Sequence, residues 1–271
     1  VTVDVIGTAA GSQLSVLASG AGVTISDVIL TDWLNAIRAT GTDAAIADVR
    51  LGTPASGALS GIAIRGDRFT AERVSIGGAS PAAVAVGLEV SNAAHGGVIR
   101  DSRVVAASNG TAFLATWATG TVADLIVEDS SFTGDGTGYG LDIVGAVDAR
   151  FRFCTFIGGT NAVRTSGTIY RATFTDCAIG DRWSTDNAAT GDALRHAANG
   201  LVELVNTLVK GGGPGYANVL ALGVNALLTW TGGTLAKPDP LNAGEYGVLA
   251  QGTLIPLTFA RFGASRRAKP S

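Results

Sequence analysis

The sequence predicts an all-β protein that folds as one right-handed parallel β-helix of about nine rungs. Three observations support this prediction. An apolar six-residue pattern recurs about every 25 residues, a second apolar column recurs in step with it, and Asp, Asn or Gly occupies the third position of most copies. A recurrence of this length indicates stacked structural repeats rather than a single unrepeated core.

The six-residue pattern is apolar at both ends in all nine copies. Its first positions are Ile25, Ile46, Ala71, Ile99, Val127, Phe151, Phe174, Leu204 and Trp230. Its sixth positions are Leu30, Leu51, Ile76, Val104, Phe132, Phe156, Ile179, Val209 and Leu235. Its third positions are Asp27, Asp48, Arg73, Asp101, Asp129, Phe153, Asp176, Asn206 and Gly232. Apolar residues alternate over only a few positions, which is typical of strands, and the third position predicts a corner.

A second apolar column has the same irregular spacing as the first. It consists of Ile37, Ile62, Leu88, Phe113, Leu141, Val163, Leu194, Leu220 and Leu249. Two columns in step predict rungs stacked in register, with equivalent residues about 4.8 Å apart. A leucine-rich repeat would need its Leu/Asn signature, and a propeller blade would need about 40 residues. A β-sandwich would not keep two columns in register along the chain.

Composition limits the classes of partner that we expect. The chain of 271 residues is 46% hydrophobic and only 15% charged, with a net charge of −3. This balance does not favour nucleic acid, and no apolar run approaches the ~18 residues that span a bilayer. We therefore predict neither nucleic-acid binding nor membrane insertion. The β-helix is predicted to cover residues 1–255, followed by a basic C-terminal tail over residues 256–271.

Several conspicuous residues are interpreted as structural. Cys154 and Cys177 share one repeat position, which predicts stacked packing thiols rather than a metal pair or a nucleophile. We expect His95 and His196 to be turn or surface residues. The segment TGDGTGYG over residues 133–140 is interpreted as a glycine-rich corner rather than a calcium-binding turn. No metal or cofactor is predicted.

Three positions of the repeat predict stabilising contacts, and the outward apolar positions predict a contact between subunits. The second position carries Glu72, Arg100, Glu128 and Arg152 on successive rungs, which predicts an ion-pair ladder. Asp176 is expected to accept bonds from backbone N–H groups at its corner, and Phe156 to stack in the core. Outward apolar positions suggest a contact between subunits, and these are Ile29, Leu114, Val205 and Leu208.

The outward neighbours of the second column form the candidate ligand site. These are Arg38, Ala63, Glu89, Leu114, Asp142, Arg164, Arg195 and Ala221. Glu89 and Asp142 lie two rungs apart, about 9.6 Å by strand spacing, near the upper limit for an inverting carboxylate pair. Asp142, Arg164 and Arg195 follow on consecutive rungs and could hold an acidic or neutral sugar.

Two aromatic residues near turns, Trp117 and Trp183, are added to this candidate glycan groove because an indole can stack on a sugar. They could equally cap the core or form a subunit contact. Exposed strand positions are also commonly polar for structural reasons alone. No residue is assigned a catalytic role.

The string GVTISDVILTD over residues 22–32, and the repetition that follows it, resembles the pectin-lyase-like β-helix superfamily. The resemblance covers residues 14–250 and is one of pattern rather than of a signature motif. Within that superfamily the chain looks most like spikes and fibres of tailed bacteriophages. This resemblance implies a parallel homotrimer on the virion, associated with other virion proteins, that binds host surface polysaccharide. The calcium-binding acids and catalytic base of lyase members have no residue-by-residue match here.

The sequence leaves three functions open. The favoured one is a non-enzymatic virion spike or fibre protein that binds host cell-surface polysaccharide. The second is a polysaccharide-degrading hydrolase or lyase that uses Glu89 and Asp142. The third is a bacterial surface adhesin.

Overall fold

A computed structural model describes most of the chain. It covers residues 16–77, 82–91, 96–107, 109–116, 123–145, 147–180, 192–197, 199–210, 218–237, 248–250, 253–257 and 261–264. All regular structure in these residues is β, and the strands pair only in parallel. The protein is a parallel β-solenoid that forms a single body, as the sequence predicts.

One face of the solenoid is a ten-stranded sheet, here called sheet A. Its strands in spatial order are β1 (Val16–Ala18), β4 (Asn35–Ala39), β7 (Ser60–Ile64), β11 (Val86–Ser91), β14 (Thr111–Thr116), β17 (Tyr139–Val144), β20 (Asn161–Ser166), β23 (Asp192–His196), β25 (Asn218–Leu222) and β27 (Val248–Ala250).

The remaining strands form two further rows, called row 1 and row 2, which meet at a corner. Row 1 contains β2 (Thr24–Ser26), β5 (Ala45–Ala47), β8 (Thr70–Glu72), β12 (Gly97–Arg100), β15 (Ala123–Glu128), β18 (Val147–Arg152) and β21 (Thr168–Thr175). Row 2 contains β3 (Ile29–Leu30), β6 (Arg50–Leu51), β9 (Ser75–Ile76), β13 (Arg103–Ala107), β16 (Ser131–Thr133), β19 (Thr155–Ile157) and β22 (Ala178–Ile179), and the short β10 (Ala82–Ala83) pairs with the end of β13.

The solenoid has about seven turns, fewer than the nine predicted. Beyond β22 the strands of rows 1 and 2 merge into single twelve-residue strands, β24 (Asn199–Lys210) and β26 (Ala226–Lys237). Two strands, β28 (Thr253–Leu257) and β29 (Arg261–Ala264), then pair with β26. Parallel pairing therefore continues past residue 255, where the sequence places the end of the β-helix.

The predicted columns have the predicted register. Each first position pairs with the next from Ile25 to Trp230, and each sixth position from Leu30 to Leu235. The second column is also confirmed from Ile37 to Leu220. Its last member was wrong, because Leu220 pairs with Val248 and not with Leu249.

The corner between rows 1 and 2 is formed by one left-handed residue per turn. The third-position residues have φ values between 46° and 67° from Asp27 to Gly232. Asp, Asn and Gly adopt this conformation more readily than other residues, which explains their recurrence at the corner. The fourth-position side chains then point inward, and all of them are buried from Val28 to Thr207.

Stacked aromatic rings fill the middle of the core. Phe132 stacks on Phe113 and Phe156 with centroid separations of 5.0 and 5.6 Å. Phe151 stacks on Phe174 at 4.7 Å and meets Phe156 edge to face. Phe156 is fully buried, as predicted. The register brings together the equivalent rings Phe132 with Phe156 and Phe151 with Phe174, and the other contacts join rings of different columns. All of them have the stacked or T-shaped geometries that aromatic pairs favour.

Side chains at the fourth position meet the polar requirements of the corner. Ser130 donates to the Glu128 carbonyl and accepts from the Ser102 amide, and Thr207 accepts from the Cys177 amide. Asp176 was expected to have this role, but its bond is instead to the Asn206 side-chain amide, at 2.5 Å. The inward hydroxyl, one residue after the corner, is closer to the neighbouring turn's backbone than the outward carboxylate.

Cys154 and Cys177 lie in the same buried column and are both free thiols. Their sulfurs donate to the carbonyls of Arg152 and Thr175, as the hydroxyl of Ser130 does at its own turn. A hydrogen bond with the Cys177 thiol, together with burial, raises the pKa of Cys154. The thiol therefore stays protonated at neutral pH, which agrees with its interpretation as a packing residue.

His196 is buried inside the solenoid, so its prediction as a turn or surface residue was wrong. Its Nε2 lies 3.0 Å from the Gly200 carbonyl oxygen and its Nδ1 lies 2.6 Å from Thr165 Oγ1. A neutral ring that donates through Nε2 and accepts through Nδ1 satisfies both contacts. Burial lowers the pKa of His196, which keeps the ring neutral. His95 lies outside the described residues.

Candidate functional site

The predicted candidate site lies on the outer surface of sheet A. The strand register aligns Arg38, Ala63, Glu89, Leu114, Asp142, Arg164, Arg195 and Ala221 in one column. Leu114 lies between Glu89 and Asp142 in this column, so the two carboxylates are two turns apart. Trp117 and Trp183 lie outside the described residues.

Asp142 and Arg164 form a tight ion pair on adjacent turns. Arg164 Nε donates to one carboxylate oxygen at 2.9 Å and Nη2 donates to the other at 2.5 Å. The Asp142 side chain is 7% exposed and that of Arg164 is 32% exposed. These bonds raise the pKa of the Arg164 guanidinium. Both carboxylate oxygens are therefore occupied.

Tyr139 completes this cluster. Its hydroxyl accepts a bond from Arg164 Nη1 at 2.8 Å, and the guanidinium carbon lies 4.1 Å from the ring centroid. Arg164 is thus bound by a carboxylate, a hydroxyl and an aromatic face at once, which fixes its orientation. Asp142 and Tyr139 therefore hold Arg164 from two sides.

The other charges of this column are less constrained. Arg195 is exposed, one turn beyond Arg164, and has no ion-pair partner in the part of the chain that the structure describes. Glu89 lies 3.7 Å from Arg65, a loose contact between partly exposed side chains. Arg195 is therefore an exposed guanidinium of this face that remains available to a ligand.

A second surface feature, not predicted from the sequence, follows the corner between rows 1 and 2. Two adjoining depressions of about 490 and 350 Å³ both include Phe153 and Thr155. Together they form what we call the corner groove, lined on one side by Asp101, Asp129, Phe153, Asp176 and Asn206 and on the other by Arg103, Ser131, Thr155, Ala178 and Leu208. It crosses five turns, or about 19 Å by the spacing of parallel strands.

Phe153 is an unusual residue at the centre of this groove. It adopts the left-handed conformation, with φ of 53°, and its side chain is 53% exposed. For a bulky residue this conformation costs on the order of 1–2 kcal/mol. Asp, Asn or Gly would meet the same backbone requirement at lower cost. A strained, exposed aromatic ring is a feature found at binding sites.

The charges along the corner groove differ from those elsewhere on the same corner. Asp48 forms a bidentate pair with Arg73, which lowers the pKa of the Asp48 carboxyl. Within the described ranges, the exposed carboxylates of Asp101 and Asp129 have no such partner. The groove therefore presents two unpaired carboxylates on the turns that precede the aromatic ring.

One residue of the sequence indicates this groove, although the repeat pattern was not interpreted in that way. Phe153 occupies the third position of the repeat, and the other eight copies all have Asp, Asn, Gly or Arg there. An aromatic residue at a turn position is a local inconsistency, and such inconsistencies tend to mark functional sites.

The structure adds limits on other kinds of site. No cluster of three or more His, Cys, Asp or Glu side chains within the described residues could hold a metal ion. The same residues include no helix of the length and apolarity needed to cross a membrane. Searches against family models, curated proteins and solved structures gave no match to this chain.

Proposed function

We propose that this chain is a non-enzymatic structural protein of a bacteriophage-like spike or fibre, and that it binds host cell-surface polysaccharide. The observation that carries this proposal is the Asp142–Arg164–Tyr139 cluster on sheet A. In this cluster both carboxylate oxygens of Asp142, one of the two acids considered for catalysis, are bound by Arg164. The face is thus better suited to binding a polysaccharide than to cleaving it.

The binding chemistry proposed for sheet A depends on its stacked polar side chains. Arg195 offers unpaired N–H donors beside the rigid Arg164 and Tyr139 pair, one turn apart. A guanidinium binds the carboxylates or hydroxyl oxygens of a sugar chain. Arg164 and Tyr139 are already fixed by their contacts with each other and with Asp142, so little of their conformational entropy is lost on binding.

The proposed assembly is a homotrimer that contacts other virion proteins. Exposed apolar side chains support a lateral subunit contact, among them Ile29, Leu59 and Val224, which are 62%, 62% and 71% exposed. Val205, one of the predicted interface residues, is 36% exposed. Contact between copies would remove such side chains from water. A virion location follows from this proposal.

The test measures binding and cleavage in the same samples. The intact chain is incubated with purified bacterial surface polysaccharides, and binding is followed by biolayer interferometry while glycan length is followed by size-exclusion chromatography. We expect binding of at least one polysaccharide without shortening, and weaker binding by Arg195→Ala. Sedimentation should give three times the 27.2 kDa of one chain.

Two outcomes would overturn the proposal. Shortening of the polysaccharide that disappears in Asp142→Asn would identify an enzyme. Failure to bind any surface polysaccharide, in a sample shown to be folded, would remove the binding function.

A further inference from the structure

We propose that the corner groove is a second carbohydrate site, separate from sheet A, and that it takes an uncharged, linear glycan segment along the solenoid axis. The inference rests on the proposed function and adds to it the location and the chemical class of the ligand. It is derived from the shape, the aromatic ring and the charge of the groove.

The shape of the groove fits an extended chain rather than a single small molecule. The two depressions adjoin at Phe153 and Thr155, so the surface is continuous across five turns. Their floor is formed by the buried fourth-position residues, including Ser130, Cys154 and Cys177. Because each turn presents the same backbone, a polymer with a repeating unit can make equivalent contacts on successive turns.

The ring of Phe153 provides the apolar contact. Arg152 lies 5.7 Å from its centroid, and Arg152 is itself paired with Glu128 at 3.2 Å. The ring remains 53% exposed in spite of this contact. The C–H face of a pyranose ring is apolar and weakly positive, and therefore complements the negative face of an aromatic ring.

The polar groups of the groove select an uncharged sugar. Asp129 precedes Phe153 by one turn and Asp176 follows it by one turn, as the strand pairing shows. The Asp129 carboxylate and the Asp176 oxygen that does not bind Asn206 can accept hydrogen bonds from sugar hydroxyls, and Ser131 and Thr155 on the opposite wall can donate or accept. Asp101 adds a third carboxylate, and Arg103 is the one cation among the described residues that line the groove. Arg152 beside the ring is paired with Glu128, so the groove is negative overall and would repel uronic acids.

The experiment uses the full chain and a substitution that the fold already accommodates. Phe153→Asn removes the ring and installs the residue that Asn206 provides at the equivalent position of another turn. Phe153→Tyr retains a ring. Tyr170→Asn is the matched control, because Tyr170 is also exposed, at 60%, but does not line the groove.

The probes are neutral oligosaccharides of glucose, galactose, mannose and N-acetylglucosamine, with oligogalacturonate as the acidic comparison. Titration calorimetry should show binding of at least one neutral probe and none of oligogalacturonate at this site. Phe153→Asn should weaken binding about tenfold or more, while Phe153→Tyr and Tyr170→Asn should stay within about twofold of the unmodified chain.

Each alternative result overturns the inference in a recognisable way. Unchanged neutral-glycan binding in Phe153→Asn would refute the corner groove as a site while leaving polysaccharide binding intact. An equal loss in Tyr170→Asn would place the contact elsewhere. A change of oligomeric state in Phe153→Asn without ligand would identify the groove as a subunit interface. If no glycan binds to the unmodified chain, the proposed function fails together with this inference.

Discussion

Sheet A and the corner groove both carry charged side chains on successive turns, but they differ in what those charges contact. On sheet A, Asp142 and Arg164 are opposite in sign and adjacent, and they bind each other. In the corner groove, Asp101 and Asp129 are alike in sign and adjacent, and cannot pair. Opposite charges on adjacent turns of a column can therefore pair with each other, whereas like charges on adjacent turns remain available to a ligand.

The same rule applies to the second-position column of row 1. Arg100 and Arg152 both contact Glu128, at 3.1 and 3.2 Å, so the predicted ion-pair ladder is confirmed over these turns. Glu72 departs from it, because its contact is with Arg73 at 3.3 Å. The neighbouring corner residue of its own turn competes successfully with Arg100. Such exposed pairs contribute little to stability.

The largest expected effect is on the free energy of unfolding, and it distinguishes the buried Phe156 from the exposed Phe153 of the same turn. Phe156→Ala should lower the free energy of unfolding by about 3–5 kcal/mol, because it leaves a cavity in the ring stack. Phe153→Asn should change it by less than about 1 kcal/mol or raise it, because it relieves left-handed strain. Urea unfolding followed by circular dichroism measures both. Equal losses would contradict the assignment of inward and outward positions.

A pH-dependent effect is expected from the buried His196. Its folded-state pKa is lowered below its unfolded value of about 6.5, so its contribution to stability is complete above that value. The contribution is lost as the pH falls from about 6.5 towards the folded-state pKa. The urea concentration at the midpoint of unfolding should therefore decrease as the pH is lowered from about 7 to about 5.

His196→Gln should flatten this part of the pH profile, since glutamine does not titrate. A profile that is unchanged in His196→Gln would show that other groups cause the dependence.

The smallest effect is expected from the thiols. Replacing both Cys154 and Cys177 by Ser should reduce stability only slightly, because Ser102 and Ser130 already occupy the same column with equivalent hydrogen bonds. Although both residues lie in the floor of the corner groove, they are almost fully buried, so we expect glycan binding to be unaffected. A folded double variant that loses binding would contradict the structural role of these residues.

The fold could be predicted because the apolar columns repeat with one spacing, and stacking requires such repetition. The register could not be fixed at the last turn, where Val248 and Leu249 are both apolar and either would satisfy the pattern. The buried position of His196 could have been predicted from strand alternation, because Leu194, two residues earlier in the same strand, points inward. Its polarity led to the wrong interpretation.

The candidate site was predictable only as a set of aligned residues. The register confirms that Glu89, Asp142, Arg164 and Arg195 lie in one column. The sequence could not show that Tyr139 joins Arg164, or that both Asp142 oxygens are occupied, because these depend on side-chain conformation. The role of Phe153 was missed because the repeat pattern in the sequence shows which residue lies at the corner but not its backbone conformation.

The most direct test of this account is a pair of double-mutant cycles on unfolding free energy. One cycle combines Asp142→Asn with Arg164→Gln, and the other combines Asp129→Asn with Arg103→Gln in the corner groove. We expect a coupling of about 1–3 kcal/mol for the partly buried bidentate pair on sheet A. For the corner groove we expect a coupling within about 0.3 kcal/mol of zero. Similar couplings in both cycles would contradict the distinction between charges used by the fold and charges left for a ligand.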